Sequence, residues 1–253
     1  MFYEFQNSLS LNTFKILHGG NINAQNHLHN SFEFVQVTKG ILKINVEKKE
    51  YCLKKDDALL IFPHQIHEYV SEEENEYTIC IFSPELVKSY QSVYLKNSPK
   101  SNLFKSDINY AELLSGALGR NVFSVKGLLY SLCGEFHENR EYIEKSTTND
   151  ALIEKIFKFV EENYSNDCTL SALSKSTSYN YAYLSRCFKS YTGATFVDYV
   201  NRYRVNEASY LLKNTNLAVL EVAFKTGFDS LRNFNRVFKK ITEKTPKEYR
   251  ETK

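Results

Sequence analysis

Residues 220–240, LEVAFKTGFDSLRNFNRVFKK, predict a short helix, a turn and a second helix. In the second helix, apolar side chains recur at steps of three and four residues from Phe234, and Gly227 marks the turn. A similar stretch, residues 171–190, SALSKSTSYNYAYLSRCFKS, lies 49 residues earlier at its start and 50 residues earlier at its end. The chain therefore contains two copies of one helix-turn-helix unit, and the second copy has the longer turn.

The second helix of each copy has an apolar face and a polar face. The apolar faces consist of Leu184, Cys187, Phe188 and Tyr191 in the first copy and of Phe234, Val237, Phe238 and Ile241 in the second. The polar faces consist of Ala182, Ser185, Arg186 and Lys189, and of Arg232, Asn235, Arg236 and Lys239. Arg and Asn pair with guanine and adenine edges in the major groove, and Lys neutralises phosphate. The polar face of a single helix is usually only solvated, but its repetition favours DNA binding.

A long helix, predicted over 196–212, joins the two copies. Recognition helices of one DNA-binding protein enter the major groove about one helical turn apart, roughly 34 Å. We therefore expect the two polar faces to contact successive segments of the groove on one side of the duplex.

The first half of the chain predicts β-structure. Residues 33–38 and 41–46 alternate between apolar and polar side chains, and the turn signal Lys39-Gly40 separates them. Further short strands are predicted up to about residue 83. Short strands at this spacing are typical of a small barrel or sandwich.

The rest of the first half and its junction with the second predict the domain organisation. Residues 122–136 have helical periodicity and predict a helix that either covers the barrel or forms a dimer interface. The polar run over 141–150 is predicted to link the two domains. We expect a sensing and dimerisation domain over 1–140 and an all-α DNA-binding domain over 151–253.

The composition predicts a folded protein that does not span a membrane. Of 253 residues, 25% are charged and 42% hydrophobic, and no run of about 18 apolar residues occurs. The five cysteines show no CxxC spacing and the first residues lack the signal-peptide pattern, so reduced thiols and a cytoplasmic location are expected. Residues 150–253 contain 17 Lys and Arg against 12 Asp and Glu. This basic half suits a polyanionic partner.

Known catalytic patterns are missing from the sequence. It contains no P-loop, no dinucleotide-binding fingerprint and no Ser-His-Asp or Cys-His arrangement. We therefore do not expect an enzyme.

Four motifs in the second copy carry a family resemblance. They are Leu220-Glu221-Val222-Ala223, Gly227-Phe228, Phe234-Asn235-Arg236-Val237-Phe238-Lys239-Lys240 and Thr245-Pro246-Lys247-Glu248-Tyr249-Arg250. Through them, residues 152–250 resemble the DNA-binding domain of the AraC family of bacterial transcription regulators. Ser178 and Glu243 stand where that family usually has glycine. These departures predict either a non-glycine residue in a glycine conformation or a shifted turn.

The resemblance implies which side chains contact DNA. The candidates are Asn180, Tyr181, Ala182, Ser185, Arg186 and Lys189 in the first copy, and Leu231, Arg232, Asn235, Arg236 and Lys239 in the second. Because Ala182 and Ser185 are short, we expect the first helix to contact fewer bases than the second. The implied partners are double-stranded promoter DNA, RNA polymerase and a second copy of the chain.

Two histidine motifs mark the first half. The spacing Gly20-x6-His27-x-His29-x3-Glu33-x6-Gly40, followed by Pro63-x3-His67, resembles the two motifs of cupin barrels. In metal-binding cupins such residues hold a divalent metal, so the resemblance makes His27, His29, Glu33 and His67 candidate ligands. We favour the alternative, a regulator without a metal or other cofactor, in which they border a small-molecule pocket. The candidate pocket residues are His27, His29, Glu33, Phe34, Gln36, His67, Tyr69 and Tyr77.

Both resemblances together predict a sequence-specific transcription regulator. We expect an activator, whose binding to DNA changes when a small-molecule effector enters the barrel. Two alternatives stay open: a metal-dependent cupin enzyme fused to a DNA-binding domain, and a regulator controlled by a protein partner without a small ligand. The sequence names neither the effector nor the promoter.

Overall fold

The structure, a computed structural model, describes residues 2–4, 14–47, 49–94, 97–138, 140–144 and 148–251. The chain divides into two compact units, Met1–Ser146 (unit 1) and Thr147–Lys253 (unit 2). Among the described residues, no helix combines the length and the apolar character needed to cross a membrane.

Unit 1 consists mainly of strands. In chain order they are β1 (Phe2–Tyr3), β2 (Phe14–Gly19), β3 (Asn23–Leu28), β4 (Phe32–Lys39), β5 (Leu42–Val46), β6 (Lys49–Leu53), β7 (Asp57–Ile61), β8 (His67–Val70), β9 (Glu76–Phe82), β10 (Asn97–Pro99), β11 (Leu103–Lys105) and β12 (Tyr142–Glu144). Two five-stranded sheets form, in the orders β1-β3-β8-β5-β6 and β11-β7-β4-β9-β2, and β10 pairs with β12. We call the two large sheets together the barrel.

Side-chain alternation along the strands builds two cores in unit 1. Val35 on β4 and Ile44 on β5 point between the sheets, where aliphatic side chains from both form one buried cluster. Phe34 points to the opposite face, into an aromatic cluster beneath three helices. These helices are α1 (Lys88–Tyr94), α2 (Tyr110–Ser115) and α3 (Val122–Glu138), and a 3-10 helix (Pro84–Val87) precedes them. The predicted helix over 122–136 therefore exists as α3, and it packs against the barrel.

Unit 2 contains only helices among its described residues. They are α4 (Thr148–Asn163), α5 (Leu170–Ser176), α6 (Tyr181–Thr192), α7 (Phe196–Asn214), α8 (Val219–Lys225), α9 (Leu231–Thr242) and α10 (Pro246–Glu251). The pairs α5–α6 and α8–α9 are the two predicted helix-turn-helix units. Helix α7, whose 19 residues span about 28 Å, joins them. The prediction of a strand-rich first domain and a two-unit helical second domain is confirmed.

Local sequence determines where these helices begin. The side chains of Thr169, Asn180, Thr195 and Ser230 each accept a hydrogen bond from a backbone N–H in the first turn, which satisfies a donor that the helix leaves unpaired. Helices α6 and α9 end alike, on a left-handed residue whose N–H reaches back to Lys189 or Lys239. That residue is Gly193 in the first unit and Glu243 in the second.

The structure corrects the prediction that residues 141–150 form a linker. Residues 142–144 form β12, which pairs antiparallel with β10 of unit 1, and residues 148–150 already belong to α4. Residues 145–147 lie outside the described residues. A polar segment was interpreted as a connection because its strand partner, 43 or more residues earlier, carries no local signal.

Candidate nucleic-acid interface and buried polar cluster

The first candidate DNA-contacting helix, α6, presents a small and partly aromatic surface. Tyr181, Ala182, Arg186 and Lys189 are exposed, and Ser185 is half-buried. The side-chain oxygen of Asn180 accepts a hydrogen bond from the Tyr183 N–H at 2.9 Å. The Asn180 side-chain oxygen therefore caps the helix, and only the side-chain NH2 group is left to contact a ligand.

The second candidate helix, α9, presents a longer and more basic surface. Arg232, Asn235, Arg236 and Lys239 are all exposed, and Leu231 is at its first turn. The predicted residues of this helix thus share one solvent-facing surface. Such a helix can enter a major groove, where Arg and Asn side chains pair with base edges.

A hydrogen bond orients one of these arginines. Arg236 donates from Nη2 to the Asn233 side-chain oxygen at 2.8 Å. Asn233 itself lies half-buried at the start of the helix, where its N–H bonds the Ser230 cap. The guanidinium is therefore held near the N-terminal half of α9, the part of a recognition helix that contacts bases.

A cleft of about 590 Å³ runs beside α9. Its lining combines the apolar side chains of Val219, Leu231 and Pro246 with Asn235, Thr245 and four cationic side chains. The cations are Arg236, Lys239, Lys240 and Lys247. The sequence analysis did not name Lys240 and Lys247 as DNA-contacting residues, although both lie within the family motifs. We call this feature the α9 cleft.

The turn of the second unit is held from outside the unit. Gly227 has a φ of +85°, and a Cβ there would lie 2.4 Å from the Tyr164 carbonyl oxygen. Arg204 of α7 donates to the same carbonyl at 2.6 Å and to that of Asn166 at 3.0 Å. Its guanidinium also lies over the Phe228 ring, 5.8 Å from the centroid. The turn therefore requires glycine, and Arg204 joins it to α4 and α7.

The turn of the first unit has a different backbone conformation, without a left-handed residue. Thr177 is extended, with φ −127°, and Ser178 is not among the residues with positive φ. The Ser174 hydroxyl donates to the Tyr179 carbonyl at 2.8 Å and ties the two ends of the turn together. The missing glycine at Ser178 is thus explained by a shorter turn without a left-handed residue, whereas Glu243 does adopt the glycine conformation.

In unit 1, the two histidine motifs meet inside the barrel. His27 from β3, His29 beside it, Glu33 from β4 and His67 and Tyr69 from β8 are all at most 3% exposed. His29 Nε2 lies 2.8 Å and His67 Nε2 3.5 Å from one carboxylate oxygen of Glu33. The Tyr69 hydroxyl donates to the other oxygen. We call these five residues the buried polar cluster.

Backbone contacts assign the protons of the histidines. His27 Nδ1 lies 2.8 Å from the Gln25 carbonyl, and His67 Nδ1 lies 2.9 Å from the Gln65 carbonyl. A carbonyl can only accept, so both Nδ1 atoms carry a proton, and in the neutral form of each imidazole Nε2 keeps a lone pair. His29 is the reverse, because its Nδ1 accepts from the Ser31 N–H and its Nε2 donates to Glu33.

The pKa values in the cluster follow from burial and from Glu33. Burial alone would raise the pKa of Glu33, but the hydrogen bond from His29 and the nearby His67 imidazole hold it well below its ordinary value. Burial lowers the pKa of His27 to about 4. Burial also disfavours charge on His67, but the adjacent Glu33 carboxylate outweighs it and raises that pKa. The cluster therefore holds a carboxylate beside neutral imidazoles, with His67 the most readily protonated.

This donor set fits a divalent metal. The ligand nitrogens of His27, His29 and His67 lie within 4.8 Å of one another. His67 Nε2 is fully buried and lacks a hydrogen-bond partner among the described residues. The Nδ1–H bonds to backbone carbonyls are also those that orient metal-bound histidines. Three imidazoles and one carboxylate suit Fe, Mn, Ni or Zn with positions left for a further ligand.

The remaining candidate pocket residues do not join this cluster. Phe34 and Gln36 lie on the other face of β4 from Glu33, where Phe34 packs beneath the helices and the Gln36 side-chain oxygen accepts from the Ala111 N–H. Grouping them with Glu33 was wrong, because successive strand residues alternate between faces. Tyr77 does face the interior. It pairs with Val37, however, which lies further along β4 than Glu33 of the cluster.

Family models match both units. A model of the AraC-like ligand-binding domain matches residues 18–140, and a model of a helix-turn-helix domain matches residues 173–252. An uncharacterised HTH-type transcriptional regulator of Escherichia coli, YdiP, is 23% identical over 246 residues, which cover 88% of this chain and 80% of that protein. An uncharacterised HTH-type regulator of Staphylococcus aureus is 31% identical over 115 residues, 46% of this chain. The chain aligns with only 15% of the length of that relative.

A solved structure shares the fold over nearly the whole chain. ToxT of Vibrio cholerae, in a crystal structure with a bound unsaturated fatty acid, superposes with a TM-score of 0.52 and 17% sequence identity. The match covers 94% of this chain and 94% of that one. At this identity the likeness establishes the two-domain fold alone.

Proposed function

The chain belongs to the AraC-type family of DNA-binding helix-turn-helix transcription regulators, and we propose that it activates transcription in response to a small molecule bound in the barrel. The family match covers a ligand-binding domain and a DNA-binding domain. We propose a regulatory and not an enzymatic role, in the cytoplasm, with RNA polymerase as a further partner.

The observation that carries the DNA-binding part is the repeated recognition helix. Helices α6 and α9 each begin at a side-chain cap, have 12 residues and end on a left-handed residue, and each turns its apolar side chains to a buried core. The polar side chains that remain, above all Arg186, Arg232 and Arg236, face solvent. A buried core of this kind is rigid, so it holds both polar faces in a defined position for base contact.

The two helices contribute unequally in this proposal. On α9, three long side chains that can pair with bases, Arg232, Asn235 and Arg236, are exposed together. On α6 the corresponding positions are Ala182, Ser185 and Arg186. The second unit therefore contributes most of the sequence specificity, and the first unit contacts fewer bases.

The buried polar cluster supports an effector site in the barrel. Burying a carboxylate and three imidazoles costs folding free energy that an aliphatic core would not require. Groups of this kind with perturbed pKa values concentrate at functional sites. Among structural neighbours, ToxT is known with a fatty acid bound, which supports a small organic effector for this barrel as well. The effector would shift the population of DNA-binding conformations, for which a coupling of about 1–3 kcal/mol suffices.

Helix α3 supports assembly as a homodimer. Its inner face, including Leu129, Leu132 and Phe136, is buried against the barrel. On its outer face Phe123 is 81% exposed, and Val122 and Tyr130 are also exposed. An exposed apolar face on the sensing unit is a suitable dimer contact.

Selection of DNA tests the proposed function. Duplexes enriched from a random library by the full chain should share a motif with two parts, one per recognition helix. Arg232→Ala and Arg236→Ala should each relax the preference at one base pair, whereas Arg120→Ala, an exposed arginine of unit 1, should not. Recovery of no common motif would contradict the proposal.

A divalent metal is a second candidate ligand for the barrel. The nitrogens of three buried histidines within 4.8 Å favour it, together with the adjacent Glu33 carboxylate. When bound, the metal would act as a Lewis acid that holds an anionic effector. The test is cobalt titration of chelator-treated full chain, followed by its visible absorption bands. His67→Ala should abolish these bands and His18→Ala, an exposed histidine, should keep them; wild-type protein without bands would exclude the metal.

A further inference from the structure

The α9 cleft has a chemistry that the base-contacting residues do not use. Three apolar residues, Val219, Leu231 and Pro246, line it together with four cationic side chains. The residues lining it include no carboxylate. Lys240 and Lys247 form no ion pair within the described parts of the chain, so the cleft carries an excess of positive charge.

Glu248 follows the cleft residue Lys247 in sequence, and its carboxylate forms hydrogen bonds at the start of α10. Glu248 accepts hydrogen bonds from the Thr245 N–H and hydroxyl, both at 2.7 Å. These bonds lower its pKa, and the charges of Lys239 and Lys244 add to the effect. The carboxylate thus caps the helix, and it is not among the residues that line the cleft.

The position of the cleft beside α9 indicates which ligand it binds. It is continuous with Asn235 and Arg236, which line it and also belong to the base-contacting face. A recognition helix in the major groove, about 12 Å wide, has a sugar–phosphate strand on each flank. We propose that the α9 cleft binds the DNA backbone, with Lys240 and Lys247 on phosphates and the apolar lining residues against deoxyribose. This inference rests on the proposed function and extends its DNA site to residues on the flank of α9 and on α10.

The internal repeat shows that this anchor belongs to one unit only. At the offset of 50 residues that relates Arg186 to Arg236, Lys240 corresponds to Ser190 and Lys247 to Val197. Val197 is 66% exposed. The first unit thus has a hydroxyl and an apolar side chain where the second has two cations.

The two units would therefore bind DNA by different means. Neutralisation of a phosphate releases counterions, so each such contact makes affinity fall more steeply with salt. The second unit, with both lysines, would carry the larger share of this salt-dependent affinity. The first unit, with Lys189 but without these two cations, would contribute the smaller share.

Salt dependence tests the cleft in the full chain. The variants are Lys240→Gln, Lys247→Gln and their combination, and the control is Lys155→Gln, which removes one exposed charge from α4 of the same unit. Fluorescence anisotropy would measure binding to a duplex selected by the wild type and to a duplex of random sequence, from about 50 to about 200 mM KCl. Unchanged far-ultraviolet circular dichroism would show that each variant folds.

The expected result is a change in slope without a change in preference. Each cleft substitution should reduce the slope of log affinity against log salt by about 0.9, so that the loss of affinity across this range becomes about 3.5-fold smaller. The preference for the selected over the random duplex should stay within about twofold, because phosphate contacts carry no sequence information.

Two outcomes separate failure of this inference from failure of the proposed function. Slopes equal to that of Lys155→Gln would overturn the cleft as a backbone site, even if sequence preference is intact. Absence of any preference in the wild type would contradict the proposed function, whereas the slope on random duplex would still decide the cleft.

Discussion

Replacing Glu243 with glycine should stabilise unit 2, although it removes a side chain. Glu243 ends α9 with φ +63° and ψ −2°, and Gly193 ends α6 with φ +72° and ψ −3°. The two helices thus close with the same backbone geometry, but only one of them uses the residue that tolerates it. A side chain in this left-handed conformation costs about 1–2 kcal/mol.

The expected gain is smaller than that cost. Glycine increases the conformational entropy of the unfolded chain, which lowers the free energy of unfolding by about 0.4–1 kcal/mol. The difference for Glu243→Gly is a stabilisation of about 0.5–1 kcal/mol, or a few degrees in Tm for a domain of this size. The opposite substitution in the first unit, Gly193→Ala, should destabilise by a similar amount.

Charge must be separated from backbone strain in this experiment. Glu243 is at the C-terminal end of a helix, where an acid is unfavourable, but several lysines are near it in sequence. Glu243→Gln removes the charge and keeps the left-handed side chain, so it is the matched control. Urea denaturation of the full chain, followed by helical circular dichroism, would compare the three proteins. If Glu243→Gly is no more stable than Glu243→Gln, strain at this position is not the reason for the change.

Three further predictions concern the same unit. Gly227→Ala should destabilise it by about 2 kcal/mol or more, measured by the urea midpoint, because the new Cβ would collide with the Tyr164 carbonyl. Burial raises the pKa of Glu207 to about 7, so its ionised form opposes folding above that pH. The stability of the unit should therefore rise as the pH falls from 8 towards 5. Glu207→Gln should stabilise the unit by about 2 kcal/mol at pH 8 and make its stability less dependent on pH. Competition binding should show that Arg236→Ala loses about 1–3 kcal/mol of discrimination at one base pair, whereas Asn233→Ala, which removes only its hydrogen-bond partner, should weaken binding less and keep the preference.

Much of unit 2 follows from local sequence. The helical repeat, the caps at Thr169, Asn180 and Ser230, and the division of α6 and α9 into buried and exposed faces are all properties of a few neighbouring residues. A helix satisfies its own hydrogen bonds within four residues, so periodicity and caps suffice to place it. The extra residue in the second turn was also visible in the changing offset of the repeat.

Unit 1 followed the sequence less closely, because its strands pair over long distances. The motif spacing correctly grouped His27, His29, Glu33 and His67, but the grouping of Phe34 with them failed. A shift of one residue moves a strand side chain to the other face of the sheet, and only the pairing of β4 with β7 and β9 fixes that choice.

Sequence alone thus determined the family, the order of the two helix-turn-helix units and the solvent-facing polar side of α9. Tertiary structure decided which charged side chains from separate motifs converge, such as Lys247 beside Lys240 on the α9 cleft. Helix faces are set by contacts within one turn of the chain. Convergence of side chains from separate elements is set by packing, and no local pattern encodes it.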